Sequence, residues 1–237
     1  MRPKAGWLEA LPRGRLLAEF SLWSADLGRL AEEVRRADPF ADLYHLDVAD
    51  GHFAPELLLF PDLLRAVRPL TARPLHVHLM VADEILEAQV HSFARAGADL
   101  ISVHLESGRV DRALSALEAL AVPAGLVLQL ETPVAAAVPY LGRIRWLTLL
   151  GTRIGVKGAG QDPAVPDRLR EATRRLAVEA EHGRERVLLA ADGAIRENTV
   201  SGLRRAGAEA IVMGSLAFAS PDLAGRMAWI HRLTPGT

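Results

Sequence analysis

The sequence predicts an α/β protein folded as a single closed (β/α)8 barrel. Three observations predict it. Short apolar runs alternate strictly with amphipathic segments, eight such pairs follow one another, and the polar residues that interrupt the apolar pattern fall at or near the ends of the runs. Strict alternation of strand and helix implies a parallel sheet. Eight units with no interrupting domain favour closure over an open, doubly wound sheet. A length of 237 residues is ordinary for such a barrel, and a 50% hydrophobic composition supplies a large core.

Residues 1–15 read as an N-terminal extension, because Pro3 and Pro12 disfavour a regular element there, and the barrel takes residues 16–237. The first strand is expected over 15–22 and its helix over 25–36, with Ser24 a good N-cap. The following strand and helix pairs are 43–48 with 60–67, 75–80 with 83–96, 100–104 with 110–120, and 124–130 with 134–141. The last three are 145–150 with 164–181, 187–191 with 197–206, and 210–213 with a C-terminal helix ending near 232. One connection occurs twice, as Ala96-Gly97-Ala98-Asp99 and Ala206-Gly207-Ala208-Glu209. In each, a glycine follows a helix and a strand comes next, as a helix C-terminal glycine should.

Composition excludes several function classes. A net charge of -1, without a basic run, gives no field for nucleic acid or a membrane surface. The chain has no cysteine, which removes disulfides and thiolate metal sites. Any metal must then sit on His, Asp or Glu, a donor set suited to Zn²⁺, Mn²⁺, Fe²⁺ or Co²⁺. There is no sustained apolar signal region and no run of ~18 apolar residues. The expectation is a soluble cytoplasmic protein with a small-molecule partner and no nucleic-acid or membrane partner. Barrels of this type commonly associate, so a homo-oligomer is allowed for, but no interface is legible.

Two strands carry the wrong chemistry for a buried sheet. Tyr44-His45-Leu46-Asp47-Val48 and Leu75-His76-Val77-His78-Leu79-Met80 place imidazoles and a carboxylate two residues apart. On a strand, i and i+2 share a face. Polar groups near a core are costly unless they are paired or bind a metal. In a barrel, catalytic groups gather at the C-terminal strand ends, and His45, Asp47, His78, His104, Gln129, Asp192 and Gly214 all fall there. His45, Asp47, His78 and Asp192 together can hold one divalent ion. The alternatives are a hydrogen-bonded core histidine for His45 and a turn or helix-cap aspartate for Asp192. His104 and Glu106 either support this set or are polar residues leaving the barrel, and Asp50-Gly51 reads as a turn.

Two glycine-bearing segments suit an anion. Gly155-Val156-Lys157-Gly158-Ala159-Gly160-Gln161 follows the sixth strand, and Gly214-Ser215 follows the eighth. Glycines let backbone N–H groups approach a phosphate, and Gly193 after Asp192 fits the same site. The alternative is tight-turn chemistry. Lys157 either adds a charge to the phosphate or is a solvated loop lysine. Ser21, at the end of the first strand, either binds substrate or bonds to nearby backbone.

At these residues the chain resembles the ribulose-phosphate 3-epimerase family. The resemblance runs from about Ser21 to Phe218 and is carried by Ser21-Leu22-Trp23-Ser24-Ala25-Asp26, His45-Leu46-Asp47-Val48-Ala49-Asp50-Gly51-His52-Phe53, Val77-His78-Leu79-Met80, Val103-His104-Leu105-Glu106, Glu131-Thr132-Pro133, Asp192-Gly193 and Gly214-Ser215. It implies a TIM barrel of the ribulose-phosphate-binding type and a metal-dependent 3-epimerase of a phosphorylated ketose. The implied metal ligands are His45, Asp47, His78 and Asp192, with Asp47 and Asp192 also the acid–base pair. Ser21 and His78 would touch the sugar, and Met80 would line the site. Gly158, Ala159, Gly160, Gly193, Gly214 and Ser215 would hold the phosphate. The implied cofactor is one divalent ion, Zn²⁺, Mn²⁺, Fe²⁺ or Co²⁺, and the implied partner is a small-molecule ketose phosphate.

Some positions depart from the family pattern. Phe20 replaces a proline, Ala49 and Thr152 stand where methionines line the site, His76 replaces an aspartate and Ala194 a glycine. Ala54-Pro55-Glu56 and the loop from Gly155 to Gln161 also differ. These changes leave the proton chemistry in place and open the choice of pentulose, hexulose or tetrulose phosphate. The competing readings are a metal-dependent lyase or decarboxylase and a non-catalytic sugar-phosphate-binding barrel. The chain's lysines, Lys4 and Lys157, lie outside every expected strand, where a lyase of this type often needs one.

Overall fold

A computed structural model describes residues 1–156 and 158–236. Eight parallel strands close in sequence order into a barrel. They are β1 Leu17–Ser21, β2 Leu43–Ala49, β3 Leu75–Met80, β4 Leu100–His104, β5 Ala124–Leu128, β6 Trp146–Leu150, β7 Leu188–Asp192 and β8 Ala210–Met213. β8 closes on β1, with Leu17 opposite Ala210 and Phe20 opposite Met213. The helices are α1 Leu30–Ala37, α2 Pro61–Val67, α3 Asp83–Ala96, α4 Val110–Ala119, α5 Val165–Glu181, α6 Glu197–Arg205, α7 Ser215–Phe218 and α8 Leu223–His231. None of the described helices is long and apolar enough to cross a membrane.

The helices differ from the expected ones in three places. Residues 134–141 wind as part of a 3-10 helix, Val134–Arg143, because Pro139 inside it has no N–H to give and its ring obstructs α-helical bonding. The C-terminal helix divides at Pro221, after which the Asp222 carboxylate caps α8 by accepting from the Gly225 N–H at 2.8 Å. Before α1, the cap is Asp26 and not Ser24: its carboxylate accepts from the Gly28 N–H at 3.0 Å, opening a 3-10 turn. The repeated glycine connection forms as expected, with Gly97 at φ 112° and Gly207 at φ 111°. The acid that follows each glycine ties down the next layer. Asp99 accepts from the Leu75 N–H at 2.9 Å and Glu209 from the Leu189 N–H at 3.1 Å.

Strand alternation divides the barrel cleanly. Tyr44, Leu46, Val48, Val77 and Leu79 belong to the main core packed against the helices. The alternate set forms layers inside the barrel. Leu17, Leu43, Leu100, Trp146, Leu188 and Ala210, from the starts of their strands, make an apolar floor. Above them lie the buried polar residues Glu19, His45, His76, Ser102 and Thr148, and at the strand ends Ser21, Asp47, His78 and His104. The interior thus grades from hydrocarbon to ionisable groups along the strand direction.

Residues 1–15 contain no strand or helix, yet Leu8 and Leu11 are buried in the apolar floor, with Trp7 against it. This segment stoppers the end of the barrel opposite the polar layer. Leu8→Ala combined with Leu11→Ala is expected to cost about 4 kcal/mol by lost burial and the cavity left behind. A lowered midpoint in chemical denaturation, with native strand content intact, is the result that checks this.

Candidate active site

The register of β2 and β3 sets His45 beside His76 and Asp47 beside His78. β7 ends on Asp192, opposite Leu150 of β6. Four side chains therefore meet across the barrel. His45 Nε2 lies 3.3 Å from Asp47 Oδ1 and 4.0 Å from Asp192 Oδ2. His78 Nδ1 lies 3.5 Å from Asp47 Oδ1 and 3.7 Å from Asp192 Oδ2. The four donor atoms all lie within 4.8 Å of one another. Ligands about 2.0–2.1 Å from a tetrahedral zinc stand roughly 3.4 Å apart, close to this spacing.

His45 Nε2 and His78 Nδ1 are buried and have no hydrogen-bond partner. A buried polar atom left bare costs about 1–3 kcal/mol, so two of them facing two carboxylates call for a shared cation. The electrostatics agree. Burial alone would push the His45 imidazole down, but the Asp47 carboxylate and then Glu19 hold it well above its usual value. Burial would push Asp47 up, but His45 and His78 hold it well below the carboxylate range. Asp192 goes the other way: burial, then the Asp47 charge, push it up to about 6. Without an ion, a proton on His45 occupies the place between the carboxylates, so the residues present fit a divalent cation. The structure brings His45, Asp47, His78 and Asp192 together at one point in the barrel.

The supporting residues are also placed. The Ser21 hydroxyl donates to Asp47 Oδ2 at 2.7 Å, fixing the carboxylate edge away from the imidazoles. His104 is buried against His78, ring centroids 5.0 Å apart and stacked, rather than leaving the barrel. Asp50 shapes its turn by accepting from the His52 and Phe53 N–H groups, each at 2.9 Å, and it also accepts from the Ala82 N–H at 2.7 Å. His76, where the family pattern has aspartate, sits one layer down with Nδ1 2.5 Å from Glu19 Oε2.

A cavity of about 360 Å³ opens above the four donors. Of the expected residues, Ser21, Asp47, His78, Met80, Asp192, Gly193, Gly214 and Ser215 line it, as do Gly158 and Ala159. His45 lies beneath it, Gly160 is not among its lining residues, and Lys157 lies outside the described residues. Met80 packs with Ala49 and Ala54, and Phe53, Leu58 and Ile154 flank this cluster. Sequence reasoning missed Arg153 and Arg196, which also line the cavity. The Arg196 guanidinium donates to the carbonyls of Gly158 and Ala159 at 2.7 and 2.8 Å, bracing that loop. Its position just after Asp192-Gly193-Ala194-Ile195 was the available signal.

Gly193 has φ 94°, and a Cβ there would lie 2.7 Å from Thr152 Oγ1, so both conformation and space require glycine. Ala194, next to it, holds φ 53° with a side chain. The left-handed region costs an alanine about 1 kcal/mol. Ala194→Gly is therefore expected to gain up to about 1 kcal/mol, reduced by glycine's greater freedom in the unfolded chain. An upward shift in thermal midpoint is the check.

The model of the "Ribulose-phosphate 3 epimerase family" matches residues 17–218, which span all eight strands. The chain belongs to the ribulose-phosphate 3-epimerase family. Among similar proteins, ribulose-phosphate 3-epimerase 1 of Cupriavidus necator is 38% identical over 207 residues, covering 86% of this chain and 85% of the relative. Ribulose-phosphate 3-epimerase of Escherichia coli K12 is 35% identical over 206 residues, covering 85% and 88%. Among solved structures, orotidine 5'-phosphate decarboxylase from Pyrococcus horikoshii superposes with a TM-score of 0.64 over 90% of this chain and 97% of that one. At 16% identity, that likeness concerns the fold alone. The epimerase family is divalent-metal-dependent, in keeping with the His and Asp cluster at the mouth of this barrel.

Proposed function

We propose that this member of the epimerase family is a metal-dependent ketose-phosphate 3-epimerase, with D-ribulose 5-phosphate the first substrate to try. The observation that carries the reading is the pair of carboxylates, Asp47 and Asp192. Their facing oxygens lie within 4.8 Å of each other and of two bare imidazole nitrogens, at the base of the cavity.

Epimerisation next to a ketone takes a proton from one face of the carbon and returns one to the other. The C–H bond breaks and its electron pair moves into the carbonyl, giving an enediolate, and no redox partner is needed. His45, Asp47, His78 and Asp192 would hold one divalent ion, Zn²⁺, Mn²⁺, Fe²⁺ or Co²⁺, which would supply positive charge against the developing negative oxygen. Asp47 and Asp192 take and return the proton. Their environments push their affinities for it apart, which distinguishes a base from an acid at the start of a turnover. Ser21 holds Asp47 in place through Oδ2 and still has lone pairs for a sugar hydroxyl. Met80, with Ala49 packed against it, shapes the wall beside the sugar. Gly158, Ala159, Gly193, Gly214 and Ser215 receive the phosphate, with Arg196 bracing the loop. Gly160 belongs to that loop by sequence and does not line the cavity. The proposal places the enzyme in the cytoplasm with a small-molecule substrate and gives no role to nucleic acid or membrane.

The test is a panel of ketose phosphates of four to six carbons, offered to metal-reconstituted protein. The reading predicts conversion of at least one member to its epimer at the carbon beside the ketone, with kcat/KM identifying the preferred sugar. Cleavage or decarboxylation products, or no turnover of any member, would overturn it.

A further inference from the structure

Each imidazole that faces the two aspartates is backed by a chain of hydrogen bonds ending on a glutamate. We infer that Glu19 and Glu106 are positioning residues that set the tautomers of His45 and His78, so that each presents a lone pair to the ion. This inference rests on the metal reading above.

A neutral imidazole has one N–H and one lone pair, and whichever nitrogen donates leaves the other free to ligate. His45 Nδ1 lies 3.0 Å from Glu19 Oε2. A carboxylate only accepts, so the neutral, metal-binding form of His45 keeps its proton on Nδ1 and leaves Nε2 bare for the ion. The same Oε2 accepts from His76 Nδ1 at 2.5 Å, and His76 Nε2 is 2.6 Å from the Ser102 hydroxyl, which donates to it. Glu19 is fully buried, and its ion-pair partners among the described residues are these two imidazoles. A carboxylate so placed has a physical reason if it faces a cation through His45. Histidines that bind metals commonly give their second N–H to such a group.

The second chain reaches the same result with the opposite tautomer. His78 Nε2 and His104 Nε2 are 2.9 Å apart, so one of them donates. His104 Nδ1 is 3.0 Å from Glu106 Oε2. Glu106 Oε1 accepts from the Gln129 N–H at 2.8 Å and from the Thr132 hydroxyl, which marks Glu106 as an acceptor throughout. His104 therefore donates through Nδ1 and accepts through Nε2, and the donor between the two rings is His78 Nε2. That leaves His78 Nδ1 bare. The two bare nitrogens deduced in this way are the two that have no partner and face Asp47 and Asp192.

The test compares parent, Glu19→Gln and Glu106→Gln, each loaded with Co²⁺, by chelator competition and by the visible absorption of the bound ion. The expected result is a loss of about ten- to a hundred-fold in Co²⁺ affinity in each variant, with an altered cobalt spectrum. A purely structural role would lower the melting temperature and leave both readouts alone. Either variant, folded and binding Co²⁺ within two-fold of the parent with the parent's spectrum, overturns the inference. Glu106 is at the rim, so Glu106→Gln decides the matter if Glu19→Gln does not fold. A parent that takes up no divalent ion overturns the metal reading as well, whereas a parent that binds and variants that bind equally overturn only this one.

Discussion

Asp47→Asn and Asp192→Asn are each expected to lower kcat by about 10²- to 10⁴-fold, the range a positioned acid or base contributes. Asparagine keeps the volume and the planar shape of the side chain but cannot take up a proton. The two variants should differ in other respects. Asp47 is held ionised by His45 and His78, so its loss also weakens the hold on those imidazoles. Asp192 is pushed up to about 6 by burial and by Asp47, so its charge is unwelcome in the metal-free fold. The sign follows from linkage. A carboxyl whose folded value is raised favours the folded state fully below its usual 3.8, and that advantage disappears as the pH rises through about 6. Metal-free Asp192→Asn should therefore melt higher than the parent at pH 7, with a gap that narrows toward pH 4. Thermal melts at the two pH values check the stability half, and steady-state kinetics at saturating metal check the catalytic half.

Removal of the metal should have an effect as large. Dialysis against a chelator is expected to reduce activity to background, and Zn²⁺, Mn²⁺, Fe²⁺ or Co²⁺ should restore it. An ion present at a thousand times its dissociation constant stabilises the fold by about 4 kcal/mol. In a chain of this size that corresponds to roughly 10 °C in melting temperature. The affinity should also fall with pH. The His45 imidazole is held well above its usual value by Asp47 and Glu19, and its second proton occupies the ligand position. The ion must displace that proton, so binding releases it and weakens as the solution becomes more acidic. Metal titrations from pH 6 to 8 that show no such slope would contradict the assignment of His45 as a ligand.

Much of this was legible in the sequence for simple reasons. The i, i+2 rule on a strand put His45 with Asp47 and His76 with His78 before any contact was known, and the β2–β3 register then set Asp47 beside His78. Asp192 was legible because an apolar run ending in Asp-Gly places its carboxylate at a strand end. Glu19 was missed, although the same rule pairs it with Ser21. In Leu17-Ala18-Glu19-Phe20-Ser21 a single acid looks like an edge residue, and only the closed barrel buries it. The burial of Leu8 and Leu11 depends on where the barrel floor lies, which no local pattern carries. Arg196 acts through its long side chain on carbonyls 37 and 38 residues away in sequence, beyond the reach of periodicity. The 3-10 winding around Pro139 was legible in principle, since a proline inside an amphipathic segment argues against an α-helix.

The two-carboxylate reading is tested most directly by isotope exchange. D-ribulose 5-phosphate is incubated with metal-loaded protein in heavy water, and the hydrogen on the carbon beside the ketone is followed by proton NMR. The account predicts that deuterium enters at that carbon as the epimer accumulates, and that Asp47→Asn and Asp192→Asn both suppress its entry into the epimer. Metal-loaded protein that leaves that hydrogen unexchanged in every ketose phosphate offered would contradict the account.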